Sequence, residues 1–211
     1  QNIFNQAWTM SAVKSFDSED SEEFFSKTYA IYNCGMTIVC AGIIVFTKLL
    51  ATFLYAKDFY KAWEYVPFLS ISIVFGALSG YLGGIFSAVK DSKIFAKSTI
   101  VGAIVNIVLN IILVYMIGAL GAAIATGISY FIVWVLRLKH ANKYIELQID
   151  LKRDIFTYII LIIESVILFI IDNSVWMYLM EIITLIILGV CYKKEINGIL
   201  DKVIKRGGKN F

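Results

Sequence analysis

The sequence predicts an all-α fold, a polytopic bundle of membrane-crossing helices, and three observations carry that reading. The chain has 211 residues, of which 59% are hydrophobic and 17% charged. Its mean hydropathy is +0.78, whereas a soluble domain is about 45–50% apolar and about 25% charged. So much apolar surface cannot be hidden inside a globule of this size. The apolar residues also come in runs close to the roughly 20 residues that a helix needs to cross a bilayer. These runs lack the period-2 alternation of barrel strands. Finally, threading the runs back and forth sorts the 19 Lys and Arg residues 16 to one side and 3 to the other. A single proline among 15% aromatics excludes a disordered chain.

Taken in order, residues 1–27 read as the end of a preceding span followed by an acidic loop. Asp17, Glu19, Asp20, Glu22 and Glu23 form a solvated helix start, with the acids near the positive end of the helix dipole. Four spans fill residues 28–138: Thr28 to Leu54, Val66 to Val89, Ser98 to Ile117, and Ala119 to Leu136. Pro67 sits in the first turn of the second, where its missing N–H is harmless. Met116-Ile117-Gly118 is so short that the spans on either side must form an antiparallel hairpin. A polar loop, residues 139–154, separates these four from a further hairpin at 155–192. That hairpin has spans Ile155 to Ile171 and Val175 to Tyr192, joined by Asp172-Asn173-Ser174. Six full spans result. The basic tail 193–211 interleaves Ile196, Ile199, Leu200, Val203 and Ile204 with lysines, a pattern suited to lying on anionic lipid. One short basic tail is not a nucleic-acid-binding fold.

The side holding 16 cations should be cytoplasmic. Both ends of the chain then face the cytoplasm, and Lys48, Lys57 and Lys61 lie outside. Tyr55, Phe59, Tyr60, Trp63 and Tyr65 would form the aromatic belt of the outer face, joined there by Trp176 and Tyr178.

The polar residues within the runs are the candidate functional positions. Asn106 and Asn110 lie one turn apart on one helical face. An unbonded amide in lipid is costly, so the pair either bonds a neighbouring helix or lines a polar cavity. Glu164 and Glu181 fall within the last two spans, where ionisable groups are rare and often functional. Glu164 has Ser165 and Thr157 available on its own helix. Small residues repeat at helical spacing as Gly76, Gly80 and Gly84 in the second span. In the fourth, Gly118, Ala122 and Thr126 form one strip and Gly121, Ala125 and Ser129 another. Such strips let helices approach closely. Cys34, Cys40 and Cys191 form no CxxC pair, and His140 is the sole histidine. Neither a zinc site nor histidine-based catalysis is expected. No nucleophile motif or paired aspartates mark an enzyme, and no cofactor is expected.

Four elements together resemble a known family. The segment Gly118-Ala119-Leu120-Gly121-Ala122-Ala123-Ile124-Ala125-Thr126-Gly127-Ile128-Ser129-Tyr130 is similar to a signature of bacterial polysaccharide exporters. These are the O-antigen, or lipid-linked oligosaccharide, flippases of the multidrug/oligosaccharidyl-lipid/polysaccharide superfamily. Asn106-Ile107-Val108-Leu109-Asn110 resembles the asparagine pair of its preceding span. Tyr55 and Tyr60-Lys61-Ala62-Trp63, followed by Val66-Pro67, are similar to one of its loops. Gln6-Ala7-Trp8 resembles the close of an earlier span, although Met10 stands where the family has proline. The resemblance covers about Ile3 to Tyr144. It implies a two-lobe transporter of 12 to 14 spans, of which this chain is the C-terminal part and the N-terminal lobe is missing. It implies alternating access and an undecaprenyl-linked oligosaccharide as cargo, in the bacterial cytoplasmic (inner) membrane. A drug/cation antiporter, a lipid-II-type flippase, and a membrane enzyme of cell-envelope polymer assembly are the alternatives.

Overall fold

The computed structural model describes residues 2–54, 57–171 and 175–207, with side chains given for 6–54, 60–171 and 175–201. Every regular element among them is helical: α1 (Asn2–Ser15), α2 (Ser21–Leu54), a 3-10 segment (Lys57–Tyr65), α3 (Val66–Ala88), α4 (Ser92–Ile117), α5 (Ala119–Ala141), α6 (Leu151–Ile170), α7 (Val175–Cys191) and α8 (Lys193–Gly207). Gln1, Tyr55, the Asp172-Asn173-Ser174 turn and Lys209 lie outside the described residues. The same holds for the side chains of Lys57, Phe59, Lys202, Val203, Ile204, Lys205 and Arg206.

The count of six spans is not confirmed among the described residues. Four helices are long and apolar enough to cross a membrane: α2, α3 with part of its 3-10 lead-in, α4 and α5. A fifth crossing results only if α7 and α8, bent by 70° to each other, are taken as one. The physical reasons are charge and length. Helix α6 carries Lys152, Arg153, Asp154 and Glu164 within 20 residues, and α7 has 17 residues.

Helix boundaries follow local chemistry. Asp91 caps α4 by accepting from the Lys93 and Ile94 amides at 3.1 and 3.3 Å. The Tyr144 hydroxyl also donates to Asp91, at 2.6 Å. That bond holds the Asp91 carboxyl below the usual carboxylate range and raises Tyr144. Asp150 caps α6 through the Arg153 amide. Gly118 alone links α4 to α5, at φ +63°, a left-handed conformation that glycine adopts freely. In the acidic run, Glu22 and Glu23 occupy the first turn of α2, and Glu23 pairs with Lys27.

Helix α3 is the most enclosed span and α4 the least. Helix α3 packs against α1, α2 and α5, whereas α4 lies chiefly along α5. Ile100, Ile104, Ile107, Ile111 and Tyr115 of α4 face outward, as residues do toward lipid. Two sets of long-range contacts mark opposite ends of the bundle. At one end Trp8 stacks on Tyr81 at 4.2 Å, Tyr81 donates to the Phe25 carbonyl, and Ser26 accepts from the Gln148 amide. At the other, Trp63 packs on Phe169, and Lys48 reaches the Ile171 carbonyl. These contacts make α2 antiparallel to α3 and parallel to α6.

Candidate functional site

Helices α2, α6 and α7 meet through polar side chains. On α2, Asn33, Thr37 and Lys48 fall at i, i+4 and i+15, one face of a helix, and all three are buried. Asp154, Thr157, Glu164 and Ser165 of α6 and Glu181 and Thr184 of α7 complete the set. On each of these helices the polar residues lie on the buried face among apolar ones, and further apolar residues face outward.

The set forms two layers. In the first, Tyr158 donates to Asn33 Oδ1 at 2.9 Å, and Asn33 Nδ2 donates to the Tyr192 hydroxyl at 3.2 Å. Thr157 shares a bond with the same hydroxyl at 3.0 Å, and Thr37 lies at 3.5 Å. Arg153 closes this end: it binds Asp154, pairs with Glu195 of α8 and stacks over the Tyr192 ring at 4.8 Å. The second layer holds Glu164 and Glu181, both 0% exposed. Thr184 Oγ1 donates to Glu164 Oε1 at 3.3 Å and to the Glu181 carbonyl at 2.7 Å. The two carboxyls lie within hydrogen-bonding reach of each other. Lys48 acts on Glu181 from α2, contacts Met177 Sδ at 3.7 Å and lies over the Trp63 ring. Between the layers, fully buried Leu161 and Leu188 each sit one turn from the polar residues on either side.

The structure thus brings Glu164 and Glu181 together. Ser165 and Thr157 do not serve Glu164. They bond the Leu161 and Asp154 carbonyls of their own helix. Asn106 and Asn110 sit apart from this site, half-buried on α4. Asn110 Nδ2 donates to the Asn106 carbonyl at 2.9 Å and to Asn106 Oδ1 at 3.1 Å. Their recorded bonds are therefore made within α4.

The small residues divide by partner. A Cβ on Gly121 would stand 2.2 Å from the Leu113 carbonyl oxygen, so α4 and α5 touch backbone to backbone there. On α3 the neighbours are rings instead. Gly84 makes room for the Trp8 indole, whose Nε1 donates to the Tyr81 carbonyl at 2.8 Å, and Gly76 faces Tyr130. Gly80 and Ala122 are half-buried. Gly102, absent from the strips read in the sequence, seats Val133.

Arg137 had registered only as a charge. It is 5% exposed and ties three helices, donating to Ser98 Oγ at 3.0 Å, Thr99 Oγ1 at 2.9 Å and the Ser79 carbonyl at 2.8 Å. Its guanidinium also lies over the Phe95 ring at 4.1 Å. Ser98 and Thr99 lie 39 and 38 residues before it on the neighbouring helix, a separation that no local sequence pattern marks.

No family model matches the chain, and no solved structure matches it. An uncharacterized membrane protein of Methanocaldococcus jannaschii is 27% identical over a stretch covering 76% of this chain and 34% of that protein. The chain therefore spans about a third of the length of the curated relative it matches. This likeness and the four apolar helices show a membrane protein.

Proposed function

We propose that this chain is the C-terminal part of a transporter that flips a lipid-linked oligosaccharide outward across the cytoplasmic membrane, by alternating access between two lobes. The observation that carries the reading is the segment Gly118–Tyr130, with the asparagine pair Asn106 and Asn110 before it. Its resemblance to the polysaccharide exporters is supported by what these residues do in the fold. Gly118 and Gly121 build the tight α4–α5 hairpin, and Trp8 of the Gln6-Ala7-Trp8 element docks α1 on α3. A relative more than twice as long, of which the matched stretch covers 34%, is in keeping with a larger parent.

The charge split puts both ends of the chain on the cytoplasmic side. The antiparallel contact of α2 with α3 and its parallel contact with α6 fit that threading. In this reading the cargo is an undecaprenyl-linked glycan, Asn106 and Asn110 belong to the polar lining, and the N-terminal lobe completes the path.

The test is a parent-gene deletion combined with reconstitution. Loss of the parent should abolish surface polysaccharide and leave the lipid-linked precursor on the inner leaflet. The purified full-length protein should move a fluorescent lipid-linked oligosaccharide across vesicles. Normal surface polysaccharide together with no flipping overturns the reading. Export of cationic dyes instead points to the drug/cation antiporters.

A further inference from the structure

Glu164 and Glu181 are two fully buried acids with too few donors. Thr184 has one hydroxyl hydrogen, and its shorter bond goes to the Glu181 carbonyl at 2.7 Å rather than to Glu164 Oε1 at 3.3 Å. Glu164 Oε2 and both carboxyl oxygens of Glu181 receive no hydrogen bond among the described residues. An ionised carboxylate only accepts, so two facing each other cannot bond and repel strongly away from water. One proton between them removes the repulsion and gives each carboxyl a partner. The other titratable groups facing the pair come from α2. Lys48 acts on Glu181, and the Cys40 thiol lies within electrostatic reach of Glu164. A fixed cation on α2 favours one negative charge on the pair, leaving the second carboxyl to hold a single exchangeable proton.

We propose that Glu164 and Glu181, facing each other between α6 and α7 with Lys48 opposite, form a proton-binding site inside the helix bundle whose loading and unloading drives the transport cycle. On loading, one O–H bond forms on a carboxyl. On unloading, that proton leaves to water, and the two carboxylates push α6 and α7 apart. The flanking leucines, Leu161 and Leu188, keep the first polar layer from sharing the proton. The drive to transport rests on the transporter reading, whereas proton binding does not.

The experiment uses the full-length parent in phosphatidylglycerol/phosphatidylcholine vesicles, with Glu164→Gln and Glu181→Gln as separate variants. Glutamine matches the shape of the protonated acid, and an unchanged amide band shows that each variant is folded. Infrared difference spectra between low and high pH should show a protonated-carboxyl band of an apolar environment that disappears as pH rises. Each variant should lose that change. A wild type without it, or both variants retaining it in full, overturns the proton site. In the second arm, an inward proton gradient should accelerate flipping of the fluorescent lipid-linked oligosaccharide in the wild type and have no effect in Glu164→Gln. A wild type that flips equally with and without the gradient overturns the coupling. A wild type that flips nothing overturns the transporter reading, and the infrared result still decides the proton site.

Discussion

Helices α4 and α5 meet where side chains are absent. Gly121 lets the Leu113 carbonyl approach to where a Cβ would stand, and Gly102 receives a methyl of Val133. Helices α2, α6 and α7 meet where polar side chains are present, in two hydrogen-bonded layers with an unsatisfied carboxyl pair. The first interface is held by van der Waals contact between close backbones, and no proton or ion changes it. The second can exist in more than one charge state. Small-residue packing therefore suits a part that moves as a rigid piece, and a polar seam suits a part whose contacts respond to conditions.

The sharpest way to break this comparison is to add volume on the glycine side. Gly121→Leu should destabilise the full-length protein by about 3 kcal/mol, because the obstructing atoms are backbone and cannot rotate away. Gly102→Ala should be milder, since Val133 Cγ2 can shift. Thermal unfolding in detergent measures both, and equal losses would mean that the two glycines do not differ in the way their neighbours indicate.

Arg137 joins the two kinds of contact, a polar group set within the apolar half. Arg137→Ala should lower stability by roughly 2 kcal/mol, from three bonds at the modest strength found for polar contacts in membrane proteins. Arg137→Lys should recover only part, because an ammonium cannot span three acceptors at fixed fork geometry. Full rescue by lysine would show that charge matters there and the fork does not. In the seam, Tyr192→Phe removes the hydroxyl shared by Asn33 and Thr157 and should lower stability by about 1 kcal/mol.

The two regions were unequally legible in the sequence. Helices α3 and α5 begin at the expected residues because Pro67 and Gly118 punctuate the chain sharply. Helices α2 and α4 begin at Ser21 and Ser92, about two turns before the apolar runs. Hydropathy marks the thickness of a bilayer, and a polar turn bearing Lys93 and Lys97 stays helical beyond it. Glu164 and Glu181 stood out as acids in apolar runs, but their meeting depends on how α6 and α7 rotate against each other, which no local pattern encodes. Asn33 and Thr37 draw no notice as lone polar residues in a long span, and Lys48 reads there only as an outer charge. Their common face was the available signal.

The smallest stability effect is expected at Asn106 and Asn110, and it bears on the lining reading. Asn110 bonds the carbonyl and amide oxygen of Asn106, one turn earlier on the same helix. Replacing it with alanine removes bonds that hold no second helix in place, and alanine is the better helix former. Asn110→Ala should therefore change stability by less than about 0.5 kcal/mol, well below the roughly 0.6–2 kcal/mol that a bond between membrane helices contributes. If the pair lines the path of a hydrophilic cargo, the same variant should slow flipping by the full-length protein several-fold at wild-type stability. The paired measurement is thermal unfolding beside the reconstituted flipping rate. A stability loss above about 1 kcal/mol would assign the amides to a helix–helix contact, and an unchanged flipping rate would remove them from the cargo path.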